Sequence, residues 1–312
     1  MKTKFGMQAL GLLLVVALAG AIFVPAVSAE EEVLSQNCPD KVDEKTLLDR
    51  TPPLLVELKN KGYSESEIAN YLLKLPKNNK KGWSEKDNER ALSYFRNYEQ
   101  SESKTYDVQK DGRMVINAED FQGINGYMRP GDLEVSTGGT ECHYFTSHIG
   151  ADGEWIEVGV ARFFDSSNEY FVYTYDSTRP SGQERKTWGT TNPNQDHNFM
   201  IYIYDDYDGQ GYPYAIWWDN TCIDSGHFPY YYNNPDENHE IFASSINNFQ
   251  SCSVGYFEDS FLYKKEGNDY NAYWWNSDLP ITEWTESYGI PPVQVDRYIP
   301  QGSNSYKIES WI

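Results

Sequence analysis

Apolar and polar positions along this chain fall into two regimes. Over residues 30–103 the apolar positions recur at helical spacing. Leu54, Leu55 and Leu58 follow Thr51-Pro52-Pro53, Ile68, Tyr71 and Leu72 follow Ser64-Glu65-Ser66-Glu67, and Ala91, Leu92 and Phe95 follow Ser84-Glu85-Lys86-Asp87. Each run is preceded by a helix-start signal, a proline in the first turn or a serine with an acid three residues on. The spacing predicts two or three helices, the last two separated by the loop 76–82. A region of this size cannot bury a robust core alone. It therefore packs on the remainder of the chain, serves as a propeptide, or forms a flexible stalk.

From Tyr106 onward the pattern changes to short alternating runs separated by turn clusters, the signature of an antiparallel sandwich. Strands are expected over 105–109 and 113–117 around Asp111-Gly112, then over 154–164, 169–176, 198–205, 213–219, 239–245, 253–264 and 270–275. Turns are expected at 165–168, 205–211 and 266–269. The fold class is mainly β: a two-sheet antiparallel sandwich of jelly-roll or concanavalin-like type over 104–312, preceded by a small α-helical amino-terminal region.

Residues 1–29 read as a signal peptide. Lys2 and Lys4 open it, an apolar run extends from Ala9 to Val24, and Val27-Ser28-Ala29 offers small residues at the cleavage positions. The mature chain is then expected outside the cytoplasm or at the cell surface, with no membrane contact beyond the leader. Loss of the two leader lysines takes the formal charge from -21 to -23. So acidic a surface repels nucleic acid and anionic lipid, and excludes both as partners. The 25 tyrosines, 9 tryptophans and 14 phenylalanines, set among Asn, Asp and Gly, favour strands and turns. In an oxidising compartment Cys38, Cys142, Cys222 and Cys252 are expected to form two disulfides. Three pairings are open, and Cys222 with Cys252 and Cys38 with Cys142 is the one favoured.

One side chain interrupts the pattern. The segment 153–164 is apolar on both strand faces, Ile156, Val158 and Val160 on one and Trp155, Gly159, Ala161 and Phe163 on the other, and Glu157 alone breaks the second face. Burial of a carboxylate raises its pKa and makes it a usable general acid or base. A structural ion pair with Arg162 or Arg297, or a solvated position, is the alternative.

Glu157-Val158-Gly159-Val160, followed by Phe171-Val172-Tyr173-Thr174-Tyr175-Asp176, resembles the neprosin and eqolisin glutamic peptidases, in which a Glu or Gln followed by x-Gly precedes an aromatic strand. Phe199–Tyr204, Ile216–Asp219 and Val254–Leu262 continue in an order similar to neprosin domains, so the resemblance covers roughly residues 140–275. It implies a concave sheet face on which two acidic or amide side chains activate water and protonate the leaving amine, without metal or cofactor, on a polypeptide substrate. Glu157 matches the first position. At the second, Tyr273-Trp274-Trp275-Asn276-Ser277 carries no acid, and His239–Ser245 offers Glu240 with Ser244 where the acid belongs. Glu240 is the candidate partner, and Trp155 and Tyr173 are candidate substrate contacts.

A rival reading is a polysaccharide-binding module. Trp217 and Trp218, with Tyr212, Tyr214 and Tyr230–Tyr232, stand beside Asp219, Asn220, Asn233 and Asn234, a mixture of ring faces and planar hydrogen-bonding groups suited to sugars. A structural surface protein is a third. Adjacent tryptophans on a strand face opposite ways, so half of such rings belong to a core. The spacing at 206–211 opens like a calcium loop, but Trp217 stands where the bidentate glutamate belongs. No zinc-protease or Gly-x-Ser-x-Gly motif occurs.

Overall fold

The computed structural model describes residues 40–77, 82–101, 108–115, 121–135, 140–150, 152–163, 169–232, 234–243, 249–267, 269–277, 279, 283–287 and 294–311. The leader, Cys38 and the 165–168 turn lie outside the described residues. The described helices are α1 (Glu44–Arg50), α2 (Pro53–Asn60), α3 (Glu65–Lys74) and α4 (Glu85–Ser101). Their starts follow the local signals. Asp43 accepts from the Thr46 N–H, Pro53 opens α2, and Ser64 and Glu67 close both bonds of a capping box. Ser84 and Asp87 exchange the equivalent pair ahead of α4. None of these helices is long and apolar enough to cross a membrane.

Two antiparallel sheets form the body. The seven-stranded sheet runs β15 (Glu283–Ser287), β1 (Val108–Val115), β11 (Asn234–Ala243), β4 (Thr140–Ile149), β5 (Trp155–Phe163), β6 (Tyr170–Asp176) and β7 (Arg185–Thr191). The eight-stranded sheet runs β10 (Thr221–Phe228), β9 (Tyr212–Trp218), β8 (His197–Ile203), β2 (Gly123–Arg129), β13 (Gly255–Glu266), β17 (Lys307–Trp311) and β16 (Gln294–Tyr298), and β14 (Asp269–Trp274) also pairs with β13. A ribbon of β12 (Phe249–Cys252) and β3 (Leu133–Val135) stands apart. Ile156, Val158, Val160 and Val172 interleave with Ile124, Ile201, Ile216 and Leu262 in the core between the sheets. The fold is thus the expected mainly β sandwich.

Both outer faces are also apolar, and helices cover them. Leu55, Leu58, Ile68 and Leu72 pack on Met200, Tyr202, Trp217, Phe261 and Tyr263 of the eight-stranded sheet. Ala91 and Phe95 of α4 pack on Ala161, Phe163, Phe171 and Tyr173 of the seven-stranded sheet. At the end of α1, buried Arg50 donates to Asn125 at 2.7 Å and to the Asp259 carbonyl, and stacks on Tyr127 at 4.2 Å.

Three differences from the sequence reading have physical causes. Asp111-Gly112 does not turn: β1 runs straight through it, because Gly112 pairs with His239 on one side and Glu286 on the other. The unforeseen β2 is glycine-interrupted for packing reasons, since a Cβ at Gly126 would lie 2.4 Å from the Ser260 hydroxyl. Cys222 is a free, buried thiol, not half of a bridge to Cys252. The side chains of Cys142 and Cys252 lie outside the described residues.

Candidate functional site

Glu157 is 6% exposed and points outward from β5, on the face that α4 covers. The indole N–H of Trp155 donates to its carboxylate at 2.9 Å. The Tyr173 phenol also lies beside it and favours its charged form. Trp155 stacks on Tyr175 at 5.0 Å, closing one side. Burial pushes the Glu157 pKa up, more than the nearby Arg185 charge and the Trp155 and Tyr173 side chains pull it down. The side chain is therefore an acid held toward its protonated form. The cation beside it is Arg185, stacked on Phe95, Tyr173 and Tyr175 at 4.4, 5.5 and 5.1 Å. It is neither Arg162, which lies over Tyr170 at 5.5 Å, nor Arg297, on β16 of the other sheet. A cavity of about 370 Å³ lies between α4 and β7, lined by Phe95, Arg96, Tyr175, Glu184 and Arg185.

The register separates Glu157 from Glu240. Glu240 pairs with His143, and His143 with Ala161, so Glu240 shares a face with Glu157 but sits four residues further along the strand direction. At about 3.3 Å per residue that is about 13 Å of displacement before the two-strand separation is added. No single water spans it. The acid on Glu157's own rung is Asp236, through Asp236–Ser147–Glu157–Tyr175–Arg185. Two strand spacings place its backbone about 10 Å from that of Glu157. The side chains of Glu240 and Asp236 lie outside the described residues. Sequence reasoning passed over Asp236 because pairing between β11 and β5 through β4 leaves no local trace.

The aromatic candidates divide. Tyr173 is fully buried under α4, and Trp155 is partly buried at the edge of the Glu157 site. Trp217 and Trp218 face opposite ways as expected, yet neither meets solvent. Trp217 is sealed beneath the helices and Trp218 lies in the core between the sheets. They cannot form a sugar platform, because both faces of β9 are covered.

Two polar constellations escaped the sequence reading. His197 contacts Thr191, Trp218 and Asp219, which outlines a nucleophile, base and acid. His197 Nδ1 lies 3.0 Å from the Trp218 indole nitrogen and 3.3 Å from Asp219 Oδ2, and Nε2 faces the Thr191 hydroxyl. His197 and Thr191 are both buried, and Trp218 closes the site on its core side. At the other end of β9, Arg179 lies 2.8 Å from Asp224 and 3.3 Å from Asp176, and the Tyr214 hydroxyl donates to Asp176 at 2.6 Å. Asp224 follows only Cys222 and Ile223 and precedes Ser225-Gly226-His227, so no apolar run marks it in the sequence. Burial works against the Asp224 charge, but Arg179 and Lys186 outweigh it and hold the pKa below the usual range. Asp224 and Arg179 are both held in their charged forms.

No family model matches the chain. No curated protein matches it either. Among solved structures the chain is similar to scytalido-glutamic peptidase with a peptide-based transition state analog, at 10% identity and a TM-score of 0.38, over 66% of this chain and 98% of that one. It is also similar to a Bacillus licheniformis β-glucanase at 8% identity, TM-score 0.27, over 52% and 77% of the two chains. A third is an alginate lyase, Aly36B, in complex with alginate tetrasaccharide, at 8% identity, TM-score 0.26, over 43% and 71%.

Proposed function

We propose that this is a secreted, glutamic-peptidase-like hydrolase in a closed form, with Glu157 as the proton donor and α4 lying over the catalytic face. The observation that carries the reading is Glu157 itself: buried on an otherwise apolar face, held by the Trp155 indole, and kept toward its protonated form. Such an acid is suited to protonating a leaving amine. Asp236, on the same rung, is the carboxylate that would activate water. Hydrolysis needs both roles, and Glu240 is too far along the strand to fill the second. The leader pattern supports export, and residues 30–103 act as a prosegment whose displacement opens the face.

The test compares the full chain with a chain cleaved after residue 103, on a denatured protein substrate across the acid and neutral range. Cleavage is expected after trimming, with an acid optimum. It should be lost in Glu157→Gln and Asp236→Asn and kept in Glu240→Gln. Activity retained in Glu157→Ala, or a folded trimmed chain inactive at every pH, rejects the reading.

One observation favours a second reading, glycan binding, at a different place from Trp217 and Trp218. Tyr207, Tyr212, Tyr231 and Tyr232 form a continuous series with ring separations of 5.3, 5.4 and 4.6 Å. Its ends are open, Tyr207 at 62% and Tyr232 at 44% exposure. Retention on a polysaccharide that weakens in Tyr207→Ala and Tyr232→Ala supports it, and retention on no glycan ends it.

A further inference from the structure

A second cavity, of about 70 Å³, lies between α1–α3 and the outer face of the eight-stranded sheet, remote from Glu157. Four tyrosines, Tyr202, Tyr204, Tyr263 and Tyr270, line it together with Glu65 and Lys59. Tyr202 stands 4.9 Å from Tyr204 at 66° and 5.2 Å from Tyr263 at 85°, so the rings meet as walls and not as a stack. The hydroxyls of Tyr202 and Tyr204 are buried with no hydrogen-bond partner among the described residues. An unpartnered buried hydroxyl is costly and calls for an occupant of the cavity that satisfies it.

We propose that this cavity binds a short alkylammonium ion. Three features select a cation over a neutral molecule. Ring faces attract positive charge. Glu65 supplies a counter-charge at the cavity, its side chain 22% exposed, and its present partner Lys59 is 3.4 Å away and 52% exposed. So exposed a pair is screened by water and readily exchanged. Burial, reinforced by the Glu65 charge, holds both phenols neutral, and neutral phenol oxygens accept N–H bonds from an ammonium group. Size limits the ligand: the volume is below the roughly 150 Å³ of an apolar cavity that admits benzene, so an ammonium head and a few carbons fill it.

Calorimetric titration of the full chain with propylammonium chloride, at ionic strength balanced with sodium chloride, tests this against n-propanol as the neutral match. Saturable propylammonium binding is expected, with n-propanol weaker by about tenfold or more, as loss of about 1.4 kcal/mol of charge-dependent attraction implies. Glu65→Gln should weaken the amine by a similar factor and leave n-propanol unchanged. Tyr202→Phe and Tyr204→Phe keep the rings and should weaken the amine severalfold without lowering the melting temperature. Equal binding of the two ligands, no saturation by propylammonium, or an affinity indifferent to Glu65→Gln and to both phenylalanine variants overturns the proposal.

Discussion

Arg90 and Glu169 form a forked pair that ties α4 to the leading edge of β6, with Nη2 to Oε1 at 3.3 Å and a closer contact between Nη1 and Oε2. Asn88, on the same helix, accepts from the backbone N–H of Thr187 at 3.3 Å and from its hydroxyl. These polar ties surround the apolar contact of Ala91 and Phe95 with Phe163, Phe171 and Tyr173. The apolar cover over the Glu157 face thus rests on one helix.

Cutting the ties should loosen the cover without unfolding the sandwich. The Arg90 pair is largely exposed and contributes no more than about 1 kcal/mol, and the Asn88 bonds contribute about 1 kcal/mol. In Arg90→Ala/Asn88→Ala the melting temperature is expected to fall by a few degrees. Binding of an apolar fluorescent dye should rise as the Phe163 and Phe171 face opens. Unchanged dye binding would show that burial of Phe95 alone holds α4 in place.

Glu157 gives stability a pH dependence of defined sign. Its folded pKa is raised by burial, so the folded state is favoured while the group is protonated and loses that advantage as pH rises through the shifted value. Glu157→Gln stays neutral at every pH. The variant should match the wild type in acid and become more stable than it toward neutrality, by about 1.4 kcal/mol for each tenfold displacement of the proton equilibrium. Melting curves across pH read this directly. A variant less stable than the wild type at neutral pH would mean that Arg185 holds Glu157 ionised.

Part of this architecture was legible in residue order. The helix starts at Ser64 and Ser84 close as their spacing implies, and a carboxylate alone on an apolar strand face is found buried at Glu157. What escaped depends on partners distant in sequence. Asp236 and Glu240 differ only in which residue of β4 each opposes, Ser147 or His143, and no local pattern encodes that. The depth of Trp217 is not encoded by alternation, because its strand Tyr212–Trp218 carries no charged or amide side chain, and the helices that cover it come from more than a hundred residues earlier. β10 leaves no clear pattern because its alternation breaks at the bulge between Cys222 and Asp224.

The Cys222 thiol should be inert in the native protein. Burial pushes its pKa up to about 11, against the pull of Lys77, whose amine lies 3.8 Å from the sulfur. Thiolate is the reactive form, so alkylation under mildly alkaline conditions is expected to be slow until denaturant is added. Mass mapping without reduction should recover Cys222 as a free thiol. A peptide joining Cys222 to Cys252 would restore the bridge expected from the cysteine count.

Asp224 should behave in the opposite sense to Glu157. Arg179 and Lys186 hold its pKa below the ordinary carboxylate value despite burial. The stabilisation is therefore present above that ordinary value and is lost as pH falls through the lower folded one. Asp224→Asn keeps the shape but leaves Arg179 and Lys186 facing a neutral amide, and removal of one partner from a buried pair costs about 3–5 kcal/mol. At neutral pH the variant should melt well below the wild type, and the gap should close on strong acidification. Thr174 and Ser225 also donate to the Asp224 carboxylate, at 2.8 and 2.9 Å, so the amide cannot satisfy every donor and the loss at neutral pH should exceed that of an ion pair alone. A gap constant from neutral to strong acid would show that shape and hydrogen bonding, not charge, make Asp224 necessary.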